Sequence, residues 1–186
     1  RQSYDELSKT LLTSDLNLGL AIICGEVSEF LEVIDIDEKN CEGIAKTYFD
    51  LLIETDKQLL SKIRIHATRN VGFHLLYRCK DIAPEDYRNQ ALAKILIDDG
   101  VKPKIHPIIE TRGEGGLIYA PGSTGYRVVR DIIIPTITLE ERNLLFSVAR
   151  SLNKLQEKKE VEYEESHYDS DSIYVDNHSP FQEFNR

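Results

Sequence analysis

Two aspartates separated by a single residue, Asp35 and Asp37, close an apolar run near the start of the chain. In a β-strand successive side chains alternate between faces, so both carboxylates point the same way while Ile34 and Ile36 point into the core. Carboxylate oxygens are the ligands that hard cations such as Mg²⁺ take, and two adjacent like charges are costly unless a cation neutralises them. The pattern therefore predicts a metal site at a strand end. The alternative is a solvated strand end that runs into a turn at 38–40.

A second polar segment, Thr68-Arg69-Asn70-Val71-Gly72, leads into a predicted strand that carries His74. Imidazole N–H groups and the backbone N–H groups of such turns are donors that bind phosphate. Asn70, Gly72 and His74 are therefore candidate phosphate contacts. The ordinary alternative for His74 is a histidine whose hydrogen bonds are satisfied by its protein neighbours.

A third segment joins an acid to a glycine-rich turn. Glu110 ends a predicted strand that we expect Pro107 to interrupt, and Arg112-Gly113-Glu114-Gly115-Gly116 follows. Glycines let the backbone approach a ligand closely, although such a run is also typical of a hairpin turn. Arg112 can clamp a phosphate through two N–H groups, or it can pair with Glu110 or Glu114.

The order of these pieces is more selective than any one of them: two acids on one strand, a histidine on a later strand, and an acid on a third. Two-metal phosphoryl transfer uses carboxylates that hold cations about 3.5–4 Å apart, together with cationic donors for the phosphates. The sequence therefore predicts a metal-dependent phosphoryl-transfer site.

Hydrophobic periodicity predicts the elements that must position these groups. The predicted strands are Leu20–Cys24, Phe30–Asp37, Gly72–Arg78, Ile105–Glu110 and Leu117–Ala120, with an extended segment from Arg64 to Thr68. The predicted helices are Tyr4–Leu12, a long or broken helix from Glu42 to Leu60, and a helix from Thr138 to about Lys159 with Glu141 in capping-box register. Residues 26–29 are interpreted as a hairpin-type connection, and Ala91–Ile97 fits either a strand or a helix.

The composition of the 186 residues fits one domain with a tail. Hydrophobic residues make up 41% of the chain, which is enough for a core. Nine acids and three basic residues follow Gln156, which predicts a catalytic domain at 1–156 and a flexible acidic linker or tail at 157–186. The rest of the chain is nearly balanced in charge, so charge neither supports nor excludes a nucleic-acid partner.

Cysteine usage and the chain ends indicate the compartment. Cys24, Cys41 and Cys79 are odd in number and scattered, which argues against disulfides and a CxxC zinc site and fits a reducing cytoplasm. No signal-peptide pattern is present, and no apolar run reaches the roughly 18 residues of a membrane span. The chain begins with Arg1 and contains no Met, which indicates a piece of a longer polypeptide.

Four strings together resemble the bifunctional DNA primase/polymerase domains of the archaeo-eukaryotic primase superfamily, the kind carried by phages and plasmids. They are CGEVSEFLEVIDID, TRNVGFHLLYR, IIETRGEGGLIYAPGSTGY and ITLEERNLLFSVARSLN, in the order in which that family has them, over roughly residues 20–153. The resemblance departs from the family pattern before the histidine, where many relatives have Ser-Gly-Gly and this chain has Asn70-Val71-Gly72. It also implies that part of the family's N-terminal segment is missing.

The resemblance assigns roles to the candidate residues. It implies that Asp35, Asp37 and Glu110 are the catalytic acids and hold two ions of Mg²⁺ or Mn²⁺. It implies that His74 contacts the phosphates of the incoming nucleotide, with Arg112 near the triphosphate, and no zinc is expected. The turn that contains Asn70 and Gly72 departs from the family pattern. The expectation that these two residues contact phosphate therefore rests on their residue types and not on the resemblance.

The resemblance implies an α/β (α+β) fold in which a mainly antiparallel, RRM-like sheet carries the three acids on one face and is backed by helices. It implies a DNA primase/DNA polymerase that makes and extends primers. Its partners would be a single-stranded DNA template, a primer strand, NTP or dNTP and a fused or associated helicase, with no membrane, in a bacterial or archaeal cytoplasm. The alternatives are a two-metal nuclease or phosphodiesterase, and a catalytically inactive nucleic-acid-binding module.

Overall fold

A computed structural model describes residues 19–98 and 100–155 of the chain. The strands are β1 (Ala21–Ile23), β2 (Leu31–Ile36), β3 (Arg64–Ala67), β4 (Phe73–Arg78), β5 (Ala91–Ile97), β6 (Lys104–Arg112), β7 (Leu117–Tyr119) and β8 (Arg127–Arg130). The helices are α1 (Ile44–Lys62) and α2 (Leu139–Ser151), and short 3₁₀ turns occupy Glu26–Ser28, Glu38–Asn40 and Pro84–Asp86. The predicted helix Tyr4–Leu12 and the predicted tail at 157–186 lie outside the described residues.

Six of the strands form one antiparallel sheet in the order β5-β6-β2-β4-β3-β8. The remaining two, β1 and β7, pair with each other as a separate antiparallel ribbon. The predicted α+β fold with a mainly antiparallel sheet is confirmed. None of the described helices is both long and apolar enough to cross a membrane.

The two faces of the central sheet are buried by different partners. Ile34 and Leu75 lie on the face that packs against both helices in the larger core, which also includes Tyr48 and Phe146. On the other face, a smaller cluster forms beneath the β1/β7 ribbon; its members are Cys24, Leu31, Val33, Leu76 and Ile118. Because β2 alternates, Asp35 follows Leu31 and Val33 on the ribbon-side face, next to the surface that the ribbon covers.

A buried ion pair attaches α2 to the central strand of this sheet. Arg142 donates to both carboxylate oxygens of Glu32, at 2.6 Å through Nε and 2.8 Å through Nη2. The hydroxyl of Tyr77 donates to the same carboxylate at 2.8 Å. All three side chains are buried, so each charge has to be satisfied inside the protein, and this network fixes the position of the helix.

The two predicted helices that lie within the described residues are confirmed with adjusted ends. The helix α1 is broken at Asp56, whose backbone is extended and whose carboxylate caps Leu59 N–H at 2.8 Å. The capping box of Thr138 and Glu141 is present. The prediction that this helix runs to about Lys159 is wrong, because the residues after Ser151 turn back onto β5, where Asn153 and Lys154 hydrogen-bond the backbone of Lys94.

Two expectations about strands are corrected by long-range pairing. Residues 26–29 form a turn that is closed by a single antiparallel bridge between Gly25 and Leu31, but the turn does not join a two-stranded hairpin, because β1 pairs with β7 and β2 pairs with β4 and β6. Pro107 does not interrupt β6, because β2 pairs with β6 only from Ile109 onward and β5 is irregular opposite the proline. The short edge strand β8 was not predicted, and Ala91–Ile97 is a strand.

Candidate active site

Four polar side chains form a row across the ribbon-side face of the sheet. Glu110 on β6 lies opposite Asp35 on β2, Asp35 lies opposite His74 on β4, and His74 lies opposite His66 on β3. Residues directly opposite each other in antiparallel strands share a face and lie within reach of each other. Strand pairing thus brings together three side chains that are far apart in the sequence and that the sequence analysis singled out.

Arg112 joins the two acids of this row. Its Nη2 atom is 2.6 Å from Oε1 of Glu110 and 3.3 Å from Oδ2 of Asp35. His74 approaches Asp35 from the other side, with Nε2 3.5 Å from Oδ1. Of the two acids proposed as partners of Arg112, Glu110 is a partner, whereas Glu114 accepts a hydrogen bond from the backbone of Glu26.

The pKa values of the two opposed acids, Asp35 and Glu110, are shifted in opposite directions. Burial would raise the pKa of Asp35, but His74 and Arg112 together hold that pKa below its ordinary value. Burial raises the pKa of Glu110, and the nearby charges of Asp35 and Asp37 raise it further against the effect of Arg112. Glu110 is thus a partly buried acid beside two other carboxylates, a setting in which a bound cation would favour its charged form.

Asp37 lies just past the end of β2, and its carboxylate takes part in the local turn. Its Oδ1 accepts the N–H of Lys39 at 2.9 Å and so caps the short turn Glu38–Asn40. Its own N–H donates to Ile108 on β6. The alternative of a strand end that runs into a turn is therefore correct for the local geometry of Asp37, which still faces the cavity shared with Asp35.

A cavity of about 120 Å³ opens beside the acids. It is lined by Asp35, Ile36, Asp37, Thr68, Asn70, His74 and Tyr126. Two of the predicted phosphate contacts, Asn70 and His74, therefore face the same space as the acid pair. Thr68 and Tyr126 were not singled out from the sequence; Tyr126 belongs to the turn after β7, whose place beside β4 depends on long-range pairing.

The turn before His74 packs tightly against β2. A side chain on Gly72 would place its Cβ 2.1 Å from the carbonyl oxygen of Ile36, so glycine is required for the close approach of the two backbones. Val71 has a positive φ of 66° and is 75% exposed. A β-branched residue is strained in that conformation. The turn is closed by a hydrogen bond from the N–H of Thr68 to the carbonyl of Gly72.

His66 is a further buried residue of the row that the sequence analysis did not single out. Its Nε2 accepts a hydrogen bond from Nε of Arg64 at 2.9 Å, and its Nδ1 has no partner. Burial, with the charges of Arg64 and His74, lowers the pKa of His66 to about 4. The imidazole is therefore neutral at physiological pH. The only sequence signal was its place in the extended segment from Arg64.

The residues present fit a divalent cation by their chemistry. Within residues 19–98 and 100–155, no three His, Cys, Asp or Glu side chains are grouped as a metal site in their present arrangement. Asp35, Asp37 and Glu110 nevertheless offer the hard oxygen ligands that Mg²⁺ and Mn²⁺ prefer. Burial, together with the charges of Asp35 and Asp37, raises the pKa of Glu110, and a cation bound beside it would favour its charged form. These three carboxylates are the residues that would hold the ion.

Comparison with protein families identifies the family of the chain. The family model described as "Bifunctional DNA primase/polymerase, N-terminal" matches residues 3–140, which include every element of the site from β2 to β8. None of the curated proteins matches the sequence.

Proposed function

The chain belongs to the bifunctional DNA primase/polymerase family, and on that premise we propose that it catalyses metal-dependent, template-directed nucleotidyl transfer. In this proposal it synthesises primers on single-stranded DNA and extends them. The observation that carries the proposal is the row Glu110–Asp35–His74 across three strands, with Arg112 bound to both acids. Two carboxylates, an imidazole and a guanidinium lie together there, which is the set of groups that the proposed reaction needs.

Each side chain has a role in the transfer. Asp35, Asp37 and Glu110 hold the Mg²⁺ or Mn²⁺ ions. An ion held by these carboxylates would supply Lewis acidity, which would favour ionisation of the primer 3′-hydroxyl and offset charge on the triphosphate. The 3′-oxygen forms a bond to the α-phosphorus, the bond to the bridging oxygen breaks, pyrophosphate leaves, and the hydroxyl proton passes to solvent.

In the proposal, nitrogen donors of three side chains bind the triphosphate. His74 donates an N–H to a phosphate oxygen, and Arg112 exchanges a carboxylate partner for phosphate, where its planar guanidinium can donate two parallel hydrogen bonds. Asn70, which faces the same cavity as His74, donates its amide to the phosphates. Gly72 acts through its backbone, which lies close to β2 and so fixes the position of the turn.

The partners follow from the proposed reaction. They are a single-stranded DNA template, a primer strand and an NTP or dNTP. A helicase fused to or associated with the chain, and a phage or plasmid origin, are further expectations from the resemblance.

The test is nucleotide incorporation on a single-stranded DNA template with Mg²⁺ or Mn²⁺, with and without a primer. We expect extension by the wild-type chain and its loss in Asp35→Ala/Asp37→Ala. Glu54→Gln is the matched control, because Glu54 is an exposed acid on α1 away from the site. Product without a primer would make the enzyme a primase as well as a polymerase.

Two outcomes would contradict the proposal. Metal-dependent shortening of the DNA, abolished by the same double substitution, would identify the nuclease alternative. Binding of DNA with neither synthesis nor cleavage, unchanged in the double variant, would identify an inactive nucleic-acid-binding module.

A further inference from the structure

Two tyrosines extend the site away from the acids. The ring of Tyr126 lies 6.1 Å from the ring of His74, and the ring of Tyr119 lies 5.6 Å from that of Tyr126, both measured between centroids. Tyr126 also lines the cavity that contains Asp35. The three rings form a continuous series that starts at His74 on β4 and ends at the surface, where Tyr119 is 50% exposed. We call Tyr119 and Tyr126 the tyrosine pair.

The turn between the two tyrosines is held rigidly. The hydroxyl of Ser123 accepts the N–H of Leu20 at 2.7 Å and donates to its carbonyl at 3.1 Å. The N–H of Ala120 donates to the same carbonyl, and the N–H of Tyr126 donates to the carbonyl of Ser123. Ser123 is buried. The backbone that carries the tyrosine pair is therefore held by hydrogen bonds that need no ligand.

Two glycines make close contacts beside the pair, Gly19 with Tyr119 itself and Gly125, the residue before Tyr126, with Arg69. A side chain at Gly19 would place its Cβ 3.0 Å from Cε1 of Tyr119, so the backbone of Gly19 lies against that ring. Gly125, at a positive φ of 86°, lies against the side chain of Arg69. Both approaches depend on glycine, which suits a surface held in one shape.

The exposed ring has the properties of a stacking surface. Aromatic side chains bind nucleobases through their faces, and an alanine substitution at such a contact costs about 1–3 kcal/mol per base. A surface that is already ordered loses little entropy when the base binds. In the proposed function the triphosphate lies at His74 and Asn70, so the nucleoside of the same molecule has to lie next to the cavity. Of the tyrosine pair, Tyr126 is the ring next to His74, and Tyr119 extends the aromatic surface outward from Tyr126.

We infer that the tyrosine pair binds the nucleobase of the incoming nucleotide, with Tyr126 at the entrance of the cavity and Tyr119 as the outer stacking surface. The inference rests on the proposed function, since it takes the triphosphate position from it. It deepens that function by naming the residues that contact the base and by predicting an affinity that grows with the size of the base.

The test is calorimetric titration of the 186-residue chain with dATP, dCTP and inorganic tripolyphosphate, with Mg²⁺ and no template. For the wild-type chain we expect dATP to bind more tightly than dCTP, because a purine offers more stacking area. Tyr119→Ala should weaken dATP binding by about five- to 150-fold and remove the difference between dATP and dCTP. Tripolyphosphate binding should stay unchanged. Tyr119→Phe should restore dATP binding.

Leu117→Ala is the matched control. Leu117 lies on the same strand two residues away, shares the outward face of the ribbon, and is 51% exposed. Its substitution should leave the affinities for all three ligands unchanged. Tyr126→Ala, checked for folding by thermal melting, should behave like Tyr119→Ala.

The possible failures are distinct. If Tyr119→Ala leaves dATP affinity unchanged, or weakens dATP and tripolyphosphate equally, the inference is wrong while the phosphate site stands. If the wild-type chain binds none of the three ligands, the nucleotide site of the proposed function fails and the inference fails with it.

Discussion

Asp35 and Glu110 lie directly opposite each other on β2 and β6, and one guanidinium nitrogen of Arg112 contacts both carboxylates. Like charges placed opposite each other in a sheet are destabilising. The strand pairing therefore creates an electrostatic cost at this position that Arg112 offsets in the free protein. The following predictions test this relationship and its surroundings.

Substituting Glu110 by Gln should weaken metal binding without lowering the stability of the metal-free protein. Burial and nearby acids raise the pKa of Glu110, which means that the folded state disfavours its charged form. Near pH 7, Glu110→Gln should therefore be no less stable than the wild-type chain without metal. Saturating Mn²⁺ should raise the melting temperature of the wild-type chain, because a ligand at a hundredfold excess over its Kd stabilises the folded state by about 2.7 kcal/mol. The same Mn²⁺ concentration should have a much smaller effect on the variant. Equal shifts in both proteins would exclude Glu110 as a ligand.

Arg112→Gln should lower the free energy of unfolding by about 1 kcal/mol near pH 7, because the pair of acids loses its counter-charge in a partly exposed setting. Added Mn²⁺ should recover most of this loss, since the cation replaces the guanidinium. Urea unfolding with and without Mn²⁺ measures both effects. The control is Arg150→Gln on the exposed surface of α2, for which Mn²⁺ should stabilise the variant as much as it stabilises the wild-type chain.

Val71→Gly should stabilise the fold by about 0.5–1 kcal/mol. The left-handed conformation costs a non-glycine residue about 1–2 kcal/mol, and the greater freedom of glycine in the unfolded chain offsets part of the gain. Val129→Gly is the matched comparison, because Val129 is also exposed but lies in the strand β8, and it should destabilise. Chemical denaturation of both variants gives the two signs, and a destabilised Val71→Gly would show that the turn is not strained.

The free energy of unfolding should decrease as the pH is lowered through a range that His66 sets. Its folded-state pKa of about 4 lies below the value near 6.5 of an unfolded histidine. The unfolded chain therefore binds the proton more readily, so the stabilisation is complete above about pH 6.5 and is lost as the pH falls towards 4, up to about 3 kcal/mol. Carboxylates also titrate there, so the measurement is the difference in unfolding free energy between the wild-type chain and His66→Gln. A difference that does not vary with pH would contradict a buried neutral His66.

Removing one partner of the buried pair between Glu32 and Arg142 should be costly. Arg142→Met leaves a buried carboxylate with only the Tyr77 hydroxyl as its partner and should lower the free energy of unfolding by about 3–5 kcal/mol. Glu32→Leu/Arg142→Met removes both charges and should recover most of that loss. Urea denaturation of the two single variants and the double variant tests this coupling. If the loss of unfolding free energy in the double variant equalled the sum of the losses in the single variants, the coupling would be refuted.

The amino-acid sequence alone predicted the features that depend on local order. Alternation along β2 placed Ile34 and Ile36 in the core and Asp35 on the opposite face, and the spacing of Thr138 and Glu141 predicted the capping box. The family resemblance of the four strings, together with their order, pointed to the combination of Asp35, His74 and Glu110. These results follow from periods of two and 3.6 residues and from short motifs, which are properties of neighbouring residues.

Only the tertiary structure decided which of these residues meet, because strand register is set between segments far apart in the chain. The pairing of β3 with β4 brings His66 opposite His74, and the pairing of β1 with β7 places Tyr119 beside Tyr126. Local patterns carry no information on register between distant strands. The same reason explains why the pairing of Arg112 with Asp35 and the continuity of β6 through Pro107 were not predicted: each depends on a partner strand that the local sequence does not name.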